Sequence, residues 1–366
     1  LKSFLAFLLV RSVVTMEPPS PRFWRPHTAN HDFCERNYVV TSLVVEFWNT
    51  WSSFLMVYAG AISFASIVAC SAKWRVRGEK NRDMLLALPV LLAVVGVGSV
   101  LFHGTLQRWC QTLDEVPMIW SAVTFNSVLR NSWRGEKEEG AGKSDADSTF
   151  ERAMALLFPT NLPGLAVILA AGTAVYFCFG FEVFIGLYSC CVALLWAEVH
   201  ACLGGLAGRG TFWVLPENTA SDVAAHSLSR VSVVEFVRIC RLQHISGGDT
   251  ASSTKGRHEH RPHSAKLVLR RLARIATFSY VGGFLLLWLP TEVLWCADRG
   301  ERRAPLHSTA HDAFTQYAHM FFHLTSSIGP AAFVQFVLCS RHMRKGDTFH
   351  MTMPAWWNLG VPTIIG

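Results

Sequence analysis

Apolar and polar positions alternate along this chain on the scale of whole elements rather than single residues. Long apolar runs occupy about 39–70, 84–103, 113–130, 154–177, 181–203, 267–295 and 312–340. About 20 apolar residues in a helix cross a bilayer. Lipid offers no partner to a backbone amide, so spanning segments are helices or closed barrels, and these runs are too long and too unalternating for barrel strands. The pattern predicts an all-α integral membrane protein, a seven-transmembrane helix bundle in one domain. The break between the fourth and fifth runs is brief, within "YFCFGFEVF" (176–184). No internal repeat stands out.

The connectors place the ends. Five Lys or Arg lie in "SAKWRVRGEKNRD" (71–83) and five more in 130–152. Lys266, Arg270, Arg271 and Arg274 precede the sixth run, and Arg341, Arg344 and Lys345 follow the seventh. The opposite connectors hold Arg108, Arg299, Arg302 and Arg303. The positive-inside rule then predicts a lumenal or external N-terminus and a cytosolic C-terminus. Composition agrees: 51% of residues are hydrophobic, 16% are charged, and mean hydropathy is +0.28. The net charge of +7 sits between apolar runs, where it orients the chain, so it is not a nucleic-acid footprint.

Other segments carry expectations of their own. Residues 1–15, "LKSFLAFLLVRSVVT", resemble a short signal-peptide core or upstream sequence, with Met16 a plausible start. Residues 1–37 form an N-terminal lumenal segment, 38–340 the helical domain, 207–264 a flexible cytosolic insertion within it, and 341–366 a cytosolic tail. "RHEHRPH" (257–263) reads as solvated loop rather than a metal grip. Trp356 and Trp357 suit a membrane interface. The ten cysteines form no CxxC pair, and Cys178, Cys190, Cys191 and Cys202 read as small buried hydrophobes. Cys34 and Cys296 flank apolar runs, where an oxidising lumen would reach them.

Ionisable groups inside such runs are expensive and mark function. The second run ends "GSVLFH", with Ser99 and His103 four apart on one helix face. The third opens with Asp114 and Glu115, and the seventh with His319 and His323, again four apart. With an external N-terminus all three places lie at one depth. Three neutral imidazoles leaving an open fourth position make a catalytic zinc arrangement. His103, His319 and His323 are the candidate zinc ligands, with Asp114 to hold or deprotonate a water and Ser99 to assist an oxyanion. The alternative is a set of helix-packing hydrogen bonds. A second cluster, Asp32, Glu35, Asn37 and the deeper Glu46, offers oxygen donors that suit calcium. Acids at a helix N-terminus are the alternative, because they complement its dipole. Glu46, an acid inside an apolar run, needs a partner.

"FWRPHTANHDFCERNYVVTSLVVEFWNT" (23–50), "GVGSVLFHGTLQRWCQTLDEVPMIW" (96–120) and "AHMFFHLTSSIG" (318–329) together resemble the alkaline ceramidase family, within the seven-span hydrolases that include the adiponectin receptors. The resemblance implies zinc (Zn2+) on His103, His319 and His323, with Asp114 and Ser99 catalytic. It implies calcium (Ca2+) on Asp32, Glu35, Asn37, Glu46 and the backbone carbonyl of Phe33, and a disulfide between Cys34 and Cys296. It implies hydrolysis of ceramide, a lipid substrate, among membrane lipids of the endoplasmic reticulum or Golgi, with no nucleic-acid partner. Phe33, "HMFFH" and Glu292 stand where the family usually has Trp, "HAWWH" and Asp, and the 207–264 insertion is longer than usual. An adiponectin-receptor-like signalling protein with a mainly structural zinc is the rival, and a non-enzymatic membrane scaffold the third reading.

Overall fold

The computed structural model describes residues 23–76, 82–134, 149–206, 261–296, 310–344, 350–351, 359, 361 and 364–365. Its helices are α1 (Phe47–Val76), α2 (Arg82–Thr105), α3 (Arg108–Arg134), α4 (Thr149–Leu157), α5 (Leu162–Phe179), α6 (Phe181–Leu206), α7 (Arg261–Ala276) and α8 (Ala310–Arg344). α7 runs on into two wider π-helical stretches, Thr277–Val281 and Gly283–Cys296. Residues His350–Met351 and Ile364–Ile365 pair as a two-residue antiparallel ladder.

Six of these helices are long and apolar enough to cross a membrane: Phe47–Cys70, Asp83–Thr105, Leu162–Phe179, Phe181–His200, Val268–Glu292 and Tyr317–His342. The expected third span is a helix of 27 residues, α3, but it carries Arg108, Gln111, Asp114, Glu115, Asn126 and Arg130 and is not apolar as a whole. It has no need to be, because it packs against α2, α5, α6 and α8, and most of its side chains are buried. α5 is the opposite case. Only 11% of its apolar window is buried, and Leu162, Val167, Phe177 and Phe179 face outward, as lipid-facing residues do. α8 is the axis of the bundle, with 78% of its window buried.

Local chemistry fixes the boundaries. Residues 39–46 are not helical: Val45 N–H donates to the Gly104 carbonyl (3.1 Å) and Glu46 N–H to the His103 carbonyl (2.9 Å). The expected 154–177 run breaks at Pro159, and α5 restarts with Asn161 as cap, its side chain accepting from Gly164 N–H at 2.7 Å. The break between α5 and α6 is one residue, Gly180, whose φ of 78° suits glycine. α7 begins at Arg261, so the last four residues of the expected 207–264 insertion are helical. The rest of that insertion, residues 1–22, and Trp356 and Trp357 lie outside the described residues.

Small residues let α1, α2 and α3 touch backbone to backbone. A Cβ on Gly60 would lie 2.7 Å from the Pro89 carbonyl oxygen, and one on Gly96 2.7 Å from Val57 N. Gly98 is tighter still, with its Cβ position 2.2 Å from the Leu113 carbonyl oxygen. Gly98 precedes Ser99 and Leu113 precedes Asp114, so this contact sets the distance between the two polar side chains. Gly98→Ala is expected to destabilise the fold by about 1–3 kcal/mol or more, because backbone rather than side chain would have to yield. Thermal unfolding in detergent checks this.

A candidate metal centre

The N-terminal strap holds the α2–α3 turn. Thr28 and Ala29 N–H both donate to the Leu106 carbonyl at 3.1 Å, and Asn30 N–H donates to Gln111 Oε1 at 2.8 Å. Leu106 itself sits at a φ of 49° to make the turn. The strap thereby lays Phe33 over the last turn of α2 and against His319 of α8.

Beneath it His103, from the last turn of α2, meets His319 and His323 from α8. All three are buried, with ring centroids 4.9, 4.9 and 4.6 Å apart. One ring nitrogen from each lies within 4.8 Å of the others. Among the described residues these are the one group of three or more His, Cys, Asp or Glu with donor atoms that close. His319 and His323 are one helical turn apart, which places both rings on the same face.

The outer side of each imidazole is held. His103 Nδ1 lies 2.5 Å from Glu46 Oε2, and His319 Nδ1 3.2 Å from Glu292 Oε1. His323 Nδ1 is 2.8 Å from Ser52 Oγ, 3.1 Å from the Asn49 carbonyl and 3.2 Å from Ser53 Oγ. Every one of these partners can accept, so each ring settles with Nδ1–H outward and the Nε2 lone pair inward. His103 Nε2 is buried with no partner. A buried acceptor without a donor costs about 1–3 kcal/mol. Three inward nitrogens backed by acceptors fit a zinc ion, whose histidine ligands are oriented by such outer hydrogen bonds.

Asp114 and Ser99 are also buried, and Ser99 is within hydrogen-bonding reach of Asp114. Ser53 Oγ donates to Ser99 Oγ at 3.0 Å. Glu115, beside Asp114, is occupied elsewhere: it accepts from Gln111 Nε2 (2.8 Å) and from the Tyr176 hydroxyl (2.7 Å). Ser99, Asp114, His319 and His323 all line one partly open cavity. Met56, Phe184, Phe284, Trp288 and Phe322 give the remainder an apolar wall.

The acidic cluster is arranged differently from a simple ring of ligands. Asn37 Nδ2 donates to both oxygens of Asp32, at 3.2 and 3.0 Å. Glu35 accepts from Trp48 N–H and Asn49 N–H, both at 2.7 Å, and so caps α1. Burial pushes the Glu35 carboxyl up to about 8, against the pull of those amides. Burial also lowers the neighbouring His31, against the raising effect of Asp32. Glu46 joins the two clusters: Oε1 accepts from Phe33 N–H at 3.0 Å while Oε2 holds His103. The partner expected of Glu46 is thus His103. Phe33 contributes its ring as well as its backbone, with centroids 4.1 Å from His319 and 5.0 Å from His103. Cys34 is disulfide-bonded, and its N–H donates to Glu292 Oε2 at 3.2 Å. The side chain of Cys296, its expected partner, lies outside the described residues.

Several contributors were not singled out in the sequence. Ser52, Ser53 and the Asn49 backbone carbonyl hold His323 from α1, and the signal was there as the two adjacent serines in "NTWSS". Glu292 stood out only as a departure from the family pattern, and it orients His319.

Comparison with known proteins gives the family. Alkaline ceramidase 3 of Mus musculus is 43% identical over 103 residues, 28% of this chain and 35% of that protein. Alkaline ceramidase of Arabidopsis thaliana is 34% identical over 107 residues, 29% of this chain and 38% of that protein. Alkaline ceramidase YPC1 of Saccharomyces cerevisiae is 33% identical over 105 residues, 29% of this chain and 30% of that protein. The chain therefore spans between 30% and 38% of the length of these relatives. The family model described as Ceramidase matches far more, residues 25–365, and by that match the chain belongs to the ceramidase family.

Proposed function

We propose that this protein hydrolyses the amide bond of ceramides to a sphingoid base and a free fatty acid, at a zinc ion held by His103, His319 and His323. One observation carries the reading: three buried imidazoles, each held at Nδ1, converge, and two of them, His319 and His323, line an apolar cavity together with a buried carboxylic acid and a serine. The cavity suits hydrocarbon, and the polar end suits an amide. Ser99 and Asp114 beside the histidines favour catalysis over a mainly structural ion.

Zinc bound there would lower the pKa of its water from about 15.7 towards about 7 and polarise the amide carbonyl. Asp114 takes the proton from the attacking water, the water oxygen bonds to the carbonyl carbon, and the C–N bond breaks. Asp114 then returns its proton to the departing nitrogen. One water is consumed, and an amine and a carboxylic acid leave. Ser99 has one proton to give. At rest Asp114 takes it, while Ser53 satisfies the Ser99 oxygen. Once Asp114 is protonated, the Ser99 hydroxyl turns to the developing oxyanion, where a well-placed donor is worth about 3 kcal/mol.

Glu46 and Glu292 keep the ligand rings in place. Glu46→Gln keeps the shape but removes the charge behind His103, and zinc affinity is expected to fall about 10–100-fold. Competition with a zinc chelator checks this.

Calcium is the second ion in this reading, at Asp32, Glu35, Asn37, Glu46 and the Phe33 carbonyl. The support is electrostatic: Asp32, Glu35 and Glu292 all act on Glu46, so several carboxylates crowd one corner. Capping α1 does not exclude the ion, because each carboxylate oxygen has a second lone pair. The same reading makes α3 a seventh span. It puts the N-terminus in the lumen of the endoplasmic reticulum or Golgi, the C-terminus in the cytosol, and a bridge between Cys34 and Cys296. Hydrolysis in 18O-labelled water tests the chemistry. One labelled oxygen is expected in the fatty acid and none in the sphingoid base; unlabelled acid would overturn attack by water.

A further inference from the structure

A hydrogen-bonded pair of tyrosines stands in the wall of the metal cavity. Tyr188 from α6 donates its hydroxyl to that of Tyr280 from the Thr277–Val281 turn, with ring centroids 6.1 Å apart and planes at 76°. Both rings line the metal cavity. On the other side of Tyr280 lies a second, partly open cavity, lined by Val192, Leu195, Trp196, Ala276 and Phe333 among others. The two cavities share Phe125, Tyr280 and Pro330 as common walls.

Tyr280 cannot retreat as a unit. Gly329 of α8 lies against its backbone so closely that a Cβ there would sit 2.7 Å from Tyr280 Cβ and 3.0 Å from Tyr280 N. A phenol in apolar surroundings needs a partner, and Tyr188 supplies it. The latch therefore fixes the ring in the wall that two apolar spaces share, one of which is lined by His319 and His323.

We propose that Tyr280, latched to Tyr188, sets the length of hydrocarbon tail the metal cavity accepts, and that the second cavity is the space a longer tail enters once that ring is removed. This rests on the hydrolase reading above. The tail belongs to the acyl chain or to the sphingoid base, and the same apolar walls would hold either.

The test assays full-length protein in detergent against two ceramide series. One varies acyl length on a fixed base, and the other varies base length on a fixed acyl chain. In Tyr280→Ala, kcat/KM is expected to rise for tails longer than the wild-type optimum, relative to that optimum. The rise is about fourfold for each further methylene taken up. The series that shifts identifies the tail. Adding Ala276→Phe, which fills the second cavity, is expected to cancel the gain. If the alanine variant does not insert, Tyr280→Leu carries the same expectation with a smaller shift. Unmoved length profiles in a variant that still hydrolyses ceramide would overturn the gate, as would a gain that Ala276→Phe leaves intact. A wild-type protein inert on every ceramide would instead overturn the hydrolase reading, and this inference with it.

Discussion

His319→Ala is expected to lose both zinc and ceramide hydrolysis while the protein still inserts. Zinc bound by three histidines leaves one position open for water, and two histidines on different helices no longer fix that geometry. The loss in kcat/KM should exceed the roughly 10–100-fold that follows removal of an outer hydrogen-bond partner such as Glu46. Insertion should survive because the substitution makes α8 more apolar, and the packing of this helix on α1 and α7 does not depend on the imidazole. The variant also leaves Glu292 Oε1 without its partner at 3.2 Å, so some stability is lost with the metal. Bound zinc per protein and released sphingoid base, measured on the same size-exclusion peak, separate the outcomes. Full zinc content with normal turnover would remove His319 from the ligand set.

Asp114→Asn is the complementary variant. The amide has the shape of the acid and can still accept from Ser99, but it cannot take a proton from water. Proton transfer by a positioned group is worth about 10²–10⁴-fold, and kcat is expected to fall by that much. Zinc content should stay at the wild-type level, because Asp114 is not among the three ligands. The contrast is the informative part: one variant loses metal and rate together, and the other loses rate alone. Zinc loss in Asp114→Asn would move this residue from proton transfer to metal binding.

Much of the site was legible because lipid makes polar residues conspicuous. A histidine at the end of an apolar run needs a reason, and the i, i+4 spacings of Ser99 with His103 and of His319 with His323 set which faces they share. Positive charges in the connectors then brought three helix ends to one depth, and the structure places those histidines together. The need of Glu46 for a partner was legible too, although not that His103 would answer it.

What stayed hidden depends on contacts between distant parts of the chain. Serines and asparagines within helices usually bond back to their own backbone, so Asn49, Ser52 and Ser53 carried little weight. Ser52 does bond back to the Asn49 carbonyl, yet it also holds His323. The start of α1 was misplaced by eight residues, because "VVTSLVV" is as apolar as a span. Those residues form a series of bends instead, and at their end Val45 and Glu46 N–H donate to carbonyls in the last turn of α2. α3 shows the opposite limit: its enclosure by four helices frees it from the apolar composition that marks a span. Tyr188 and Tyr280 lie ninety-two positions apart, and nothing local in either segment announces that they meet.

The central claim is that ceramide is cleaved at a metal held by His103, His319 and His323. Its most direct test is release of sphingoid base from ceramide by purified protein, followed by mass spectrometry as the metal is stripped with a chelator and zinc is returned. The account predicts base and fatty acid in equal amounts, loss of both on stripping, and recovery on adding about one zinc per chain. Undiminished release from metal-free protein would contradict it.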